Sequence, residues 1–117
     1  MGRRLLLADD DAAFREQLAA VLADIAPDVE IVASVPDGHA AVAEAMRHSP
    51  SVVVIDYAMP GPNGGHAAAV IRQALPDARI VVLSGLAPDE LGELPADVVI
   101  VRKGPGMERA LADALAA

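Results

Sequence analysis

Four short apolar runs, each stopping at a residue suited to phosphoryl or metal chemistry, constrain this chain more than any other feature. Leu5-Leu6-Leu7-Ala8 runs into Asp9-Asp10-Asp11, and Val52-Val53-Val54-Ile55 into Asp56. Ile80-Val81-Val82-Leu83 ends at Ser84, and Val98-Val99-Ile100-Val101 is followed by Arg102 and Lys103. As parallel strands of one sheet, these runs would collect their polar ends at its carboxyl edge. Open α/β sheets bind ligands there.

The intervening segments support that arrangement, because helix-period stretches alternate with the strand-like runs, the pattern of βαβ units. Phe14, Leu18, Val21, Leu22 and Ile25 recur at helical spacing up to Pro27. Val29 to Val35 reads as a further strand, closed by the Pro36-Asp37-Gly38 turn. His39 to Arg47 is Ala-rich and helical, with Val42, Ala45 and Met46 on one face. Met59-Pro60-Gly61-Pro62-Asn63-Gly64-Gly65 is too rich in Gly and Pro for regular structure, and helical spacing resumes at His66. A last amphipathic helix starts at Met107 and carries Leu111 and Leu115. Between Leu86 and Asp97, Pro88, Gly92 and Pro95 allow only a short or poorly formed fourth helix.

At 117 residues, with 54% apolar residues, the chain is expected to form one compact domain over residues 1–117. Phe14 and Tyr57 are its only Phe and Tyr, and it has no Trp, so it lacks stacking platforms for bases. The net charge of −8 repels phosphate backbones and anionic lipid surfaces, which argues against direct nucleic-acid or membrane binding. Cysteine is absent, excluding disulfides and thiolate chemistry. The apolar stretch after Arg3-Arg4 stops at Asp9, far short of a signal-peptide core, and a cytoplasmic, soluble protein is expected.

Carboxylates gathered at one strand edge repel each other, by about 4 kcal/mol for two charges ~4 Å apart at an effective dielectric of 20. Such a site holds protons at shifted pKa or recruits a cation, and an all-oxygen set suits Mg²⁺. A lysine for a phosphoryl oxygen and a serine hydroxyl as donor complete a phosphoryl-transfer kit. Lys103 is the only lysine present. Taken singly, each residue has a plainer reading. Asp9 to Asp11 suit a helix N-cap and first turn, Asp56 and Ser84-Gly85 suit turns, and Lys103 suits the surface. His39, His48 and His66 lack metal-ligand spacing and read as surface residues.

Together, LLLADDD followed by Phe14-Arg15, then VVVIDYAMPGPNGG, IVVLSG and VVIVRK resemble the receiver domains of two-component response regulators. The resemblance spans essentially the whole chain. It implies a flavodoxin-like, doubly wound five-stranded parallel sheet in order 2-1-3-4-5 with helices on both faces. It further implies that Asp56 is the phosphoacceptor, with a histidine kinase or phosphotransfer protein as donor. Asp9 and Asp10 match the acidic pair for Mg²⁺, which Asp56 and the Ala58 backbone carbonyl would complete. Ser84 matches the switch hydroxyl and Lys103 the lysine that pairs with the phosphoryl group. Asp11 is expected to cap the first helix. A receiver is not an enzyme with turnover; it promotes only its own phosphorylation and dephosphorylation. Its partners would include a downstream effector or output domain, and a homodimer on phosphorylation. No output domain is expected within these residues.

Three departures bear on output. Ile100 stands where the family places an aromatic switch residue, Gly104 stands where it commonly has a cis-linked proline, and the Ser84–Lys103 segment is short. An altered signalling surface is expected, with the first and last helices as one candidate dimer face. Ala58 and Leu86 cannot hold a hydrolytic water, so slow loss of the phosphoryl group is expected. The alternative is a degenerate receiver acting as a phosphorylation-independent interaction module. A haloacid-dehalogenase-type phosphatase is disfavoured by Ala13 where Thr or Val is needed. A flavodoxin-type carrier is disfavoured by acids where its phosphate loop would lie.

Overall fold

The computed structural model describes residues 2–116. Five strands, β1 (Arg3–Ala8), β2 (Val29–Val35), β3 (Val52–Asp56), β4 (Arg79–Ser84) and β5 (Val99–Arg102), form one sheet in order β2-β1-β3-β4-β5. Every pairing is parallel. Four α-helices connect or follow them: α1 (Ala12–Ile25), α2 (Gly38–His48), α3 (Gly64–Ala74) and α4 (Met107–Leu115). This is the flavodoxin-like order expected above.

Alternate strand residues enter opposite cores. Leu6, Val53, Ile55, Ile80 and Val82 pack against Ala41 and Ala45 of α2 and Ala67, Ala68 and Ile71 of α3. Leu5, Leu7, Val52, Val54, Val81 and Leu83 pack against Leu18 and Leu22 of α1 and Leu111 and Leu115 of α4. Every residue of β3 is buried, so the central strand has no room for polarity until Asp56 at its end.

The structure corrects several boundaries. The third helix begins at Gly64 rather than His66, because Asn63 caps it, its Oδ1 accepting from the His66 N–H at 2.9 Å. The second begins at Gly38, capped by Asp37. The fifth strand is displaced by one residue, to Val99–Arg102. Helix α2 turns Ala45 inward as expected, with Val42 partly buried against the same core, but Ala41 joins them and Met46 is 44% exposed; in an Ala-rich helix the periodicity fixes the phase only loosely. The expected short fourth helix is a single 3₁₀ turn, Pro88–Glu90, closed by the Ala87 N–H donating to Glu90 Oε1 at 2.8 Å. The final helix is therefore α4. Among the described residues there is no cis peptide, and Gly104 leaves β5 at φ +113°, a conformation that disfavours side chains.

Candidate functional site

The parallel register delivers β1, β3 and β4 to one edge, with Ala8 paired to Ile55 and Asp56 to Leu83. Asp9 and Asp10 follow β1, Asp56 ends β3, Ser84 ends β4, and Lys103 follows β5. Carboxylate oxygens of Asp9, Asp10 and Asp56 all lie within 4.8 Å of one another. Asp9 and Asp56 are buried, at 1% and 5% exposure, and Asp10 is exposed. Three oxygen-donor side chains with one open flank are a donor set that fits Mg²⁺.

Lys103 spans the buried pair, its Nζ 3.0 Å from Asp9 Oδ2 and 3.2 Å from Asp56 Oδ1. The same ammonium sits 4.4 Å from the centroid of the Phe14 ring, a cation–π contact. Asp9 is fixed from several sides. Its Oδ1 accepts from the Asp11 N–H at 2.9 Å, and its carbonyl accepts from Arg15 Nη1 at 2.6 Å. Arg15 Nε in turn donates to Ser34 Oγ on β2 at 3.1 Å. Asp11 caps α1 as expected, accepting from Ala13 and Phe14. The three histidines lie outside the cluster.

Ser84 is buried at the same edge, but its hydroxyl is engaged in its own loop. Oγ accepts from the Leu86 N–H at 2.9 Å and donates to the Leu86 carbonyl at 3.2 Å. Ala58 is exposed in the loop leaving Asp56. The structure thus brings Asp9, Asp10, Asp56 and Lys103 together, with Ser84 beside them on the neighbouring strand. The contacts of Phe14 with Lys103 and of Arg15 with Asp9 depend on how α1 docks, which periodicity does not reveal.

Burial pushes the Asp56 carboxyl above the ordinary aspartate range, and repulsion from Asp9 and Asp10 adds to it; together they outweigh the Lys103 ammonium. Burial alone would lower Lys103, but its hydrogen bonds and charge contacts with Asp9 and Asp56 outweigh it and hold the ammonium above the usual lysine value. A carboxyl with a raised folded pKa binds its proton more tightly when folded. Its stabilising contribution is complete below the unfolded value, near 3.8, and is lost as pH rises through the folded value. Ionised Asp56 is therefore destabilising at neutral pH without a cation. Asp56→Asn removes that cost while Asp9 still pairs with Lys103. In chelator at pH 7 the variant should be more stable by on the order of 1 kcal/mol, raising Tm by about 4 °C. The gain should vanish near pH 3. Thermal denaturation across pH checks both.

The family model for the response regulator receiver domain matches residues 5–94. Transcriptional regulatory protein LiaR of Bacillus subtilis is 37% identical over 74% of this chain and 41% of its own length. Transcriptional regulatory protein DegU of Brevibacillus brevis is 36% identical over 69% of the chain and 34% of its own. The chain therefore spans about two fifths or less of these curated relatives. Among solved structures, the NarL signal receiver domain of Mycobacterium tuberculosis superposes with TM-score 0.82 at 26% identity, covering 97% of this chain and 93% of that one. A receiver protein from Sinorhizobium medicae gives 0.82 at 27%, covering 97% and 91%.

Proposed function

The chain belongs to the response regulator receiver domain family, and from that membership we propose that Asp56 accepts a phosphoryl group from a histidine kinase or phosphotransfer protein. One observation carries this reading: Asp56 is buried at a strand end, 3.2 Å from the Lys103 ammonium and within reach of Asp9 and Asp10. A structural ion pair would need one carboxylate, whereas Asp9 and Asp56 share this lysine and Asp10 stands beside them.

The Asp56 carboxylate oxygen attacks phosphorus, forming an O–P bond as the donor's P–N bond breaks. The bonding pair leaves with the histidine nitrogen, which takes up a proton. Asp9, Asp10 and Asp56, with the Ala58 carbonyl, would hold Mg²⁺, which when bound neutralises charge on the transferring group. Lys103 moves from pairing two carboxylates to pairing a phosphoryl oxygen, already seated by the Phe14 ring. The Ser84 hydroxyl gives up its Leu86 contacts to donate to the new phosphoryl group. The Ala58 and Leu86 side chains offer no polar atom to hold a hydrolytic water, favouring slow loss.

The output is a changed protein surface, read by an effector or output domain or by a second copy through α1 and α4. The −8 charge makes direct DNA contact by this domain unfavourable. Among the described residues no helix is long and apolar enough to cross a membrane.

Incubation with acetyl phosphate and Mg²⁺ should add a single phosphoryl mass, absent from Asp56→Asn and from samples in chelator. A second reading, an interaction module indifferent to phosphorylation, draws on the 3₁₀ turn in place of the fourth helix and on Ile100 in β5. Absence of any increment, with phosphohistidine donors as well, would favour it.

A further inference from the structure

Residues 86–98 contain no regular structure beyond the 3₁₀ turn Pro88–Glu90, so side-chain hydrogen bonds help decide where they lie. Among the described residues three such ties join this segment to the rest of the molecule. At its start, Ser84 Oγ holds both the N–H and the carbonyl of Leu86. At its end, Arg72 Nε donates to Asp97 Oδ1 at 3.2 Å. In the middle, the Gly92 N–H donates to Tyr57 Oη at 2.9 Å. Two of these ties are rooted at the phosphoacceptor edge: Ser84 ends β4, and Tyr57 directly follows Asp56.

Tyr57 is itself held firmly. Its N–H donates to the Leu83 carbonyl at 2.8 Å, and its carbonyl accepts from Gly64 at 2.7 Å. Its ring packs with Leu94 and Val98 against the core, and a Cβ on Gly65 would lie 3.1 Å from ring Cε1. A Cβ on Gly92 would come 3.1 Å from Oη, so the close approach of this loop favours glycine.

We infer that Tyr57 is a positioning residue whose hydroxyl latches residues 86–98 in the unphosphorylated arrangement, and that phosphorylation of Asp56 releases the latch. The inference takes Asp56 as the phosphoacceptor. When Ser84 turns to the phosphoryl group, Leu86 loses both side-chain bonds and the start of the segment is free to shift. The Tyr57 ring, wedged beside Gly65 and fixed through its own backbone, does not follow. The Gly92 bond to an exposed amide then yields first. Ile100 supplies no aromatic ring on β5, and Tyr57 is the aromatic group that reaches this segment.

Hydrogen exchange read at Gly92, on the 117-residue chain with and without acetyl phosphate and Mg²⁺, tests this, with intact mass taken on the same samples. Phosphorylation should speed exchange at Gly92 about fivefold, the scale of one lost hydrogen bond. Tyr57→Phe, keeping the ring, should exchange fast in both states, with the phosphorylation-dependent change gone and the phosphoryl increment intact. Gly92→Ala, which crowds the hydroxyl from the other side, should behave alike. With tyrosine single and tryptophan absent, intrinsic emission reports Tyr57 alone and should change on phosphorylation of the wild type. A full increment with unchanged Gly92 exchange overturns the latch, as does Tyr57→Phe retaining the wild-type response. Absence of the increment overturns the phosphoacceptor reading, and the latch with it.

Discussion

Lys103→Met should slow phosphorylation of Asp56 about 100-fold, the usual cost of losing one preorganised charge partner for a developing oxyanion. The same change should act in two further directions, because Lys103 is shared between Asp9 at 3.0 Å and Asp56 at 3.2 Å. Without it, two buried carboxylates face each other uncompensated. Breaking a buried pair typically costs about 3–5 kcal/mol, and the partial exposure of Lys103 reduces this to about 2 kcal/mol in chelator. Affinity for Mg²⁺ should rise, about tenfold, since a positive charge leaves a site of three carboxylates. Time courses by intact mass, urea denaturation in chelator and calorimetric Mg²⁺ titration read the three effects. Loss of stability together with weaker Mg²⁺ binding would mean that Lys103 supports the acidic cluster sterically rather than by charge.

Gly64→Ala should destabilise the domain by about 3 kcal/mol, at the upper end of overpacking costs. A Cβ there would overlap the Asp56 carbonyl oxygen and sit 2.7 Å from Tyr57 Cα, both backbone atoms with no rotamer to yield. The collision falls on the strand end that presents Asp56, so the phosphorylation rate should fall as well, measured under conditions where the variant remains folded. Gly85→Ala is the control, since a Cβ at that position meets nothing within 4 Å. Equal stability of the two variants by urea denaturation would show that the α3 start can move away from β3 without cost.

The sheet and the carboxyl-edge cluster were legible because both follow from one-dimensional signals. A run such as Val52–Ile55 admits no polar residue until the strand leaves the core, so Asp56 marks the strand end by its chemistry. Pro27, Pro36 and Pro76 punctuate the helices and strands. The phase of α2 was legible only in part: Val42 and Ala45 face the core as expected, but Met46 and Ala41 compete for the inward face, and the close packing of α2 against its neighbours selects the smaller residue. The start of α3 was hidden by Gly64 and Gly65, which look like loop residues but are buried at a close approach to β3. Tyr57 and Gly92 are joined across 35 residues, one partner lying in a segment without periodicity. The hydroxyl of Ser84 was placed at the right edge, but its engagement with Leu86 depends on a loop conformation that spacing does not specify.

Locating the phosphoryl group at one residue tests the account most directly. After reaction with acetyl phosphate and Mg²⁺, borohydride reduction converts an aspartyl phosphate to homoserine, which peptide mapping assigns to a position. The account predicts homoserine at position 56 alone, lost when Mg²⁺ is chelated. Reduction at Asp9, Asp10 or Asp11 with Asp56 intact, or no reduced residue in a chain that carries the added mass, would contradict it.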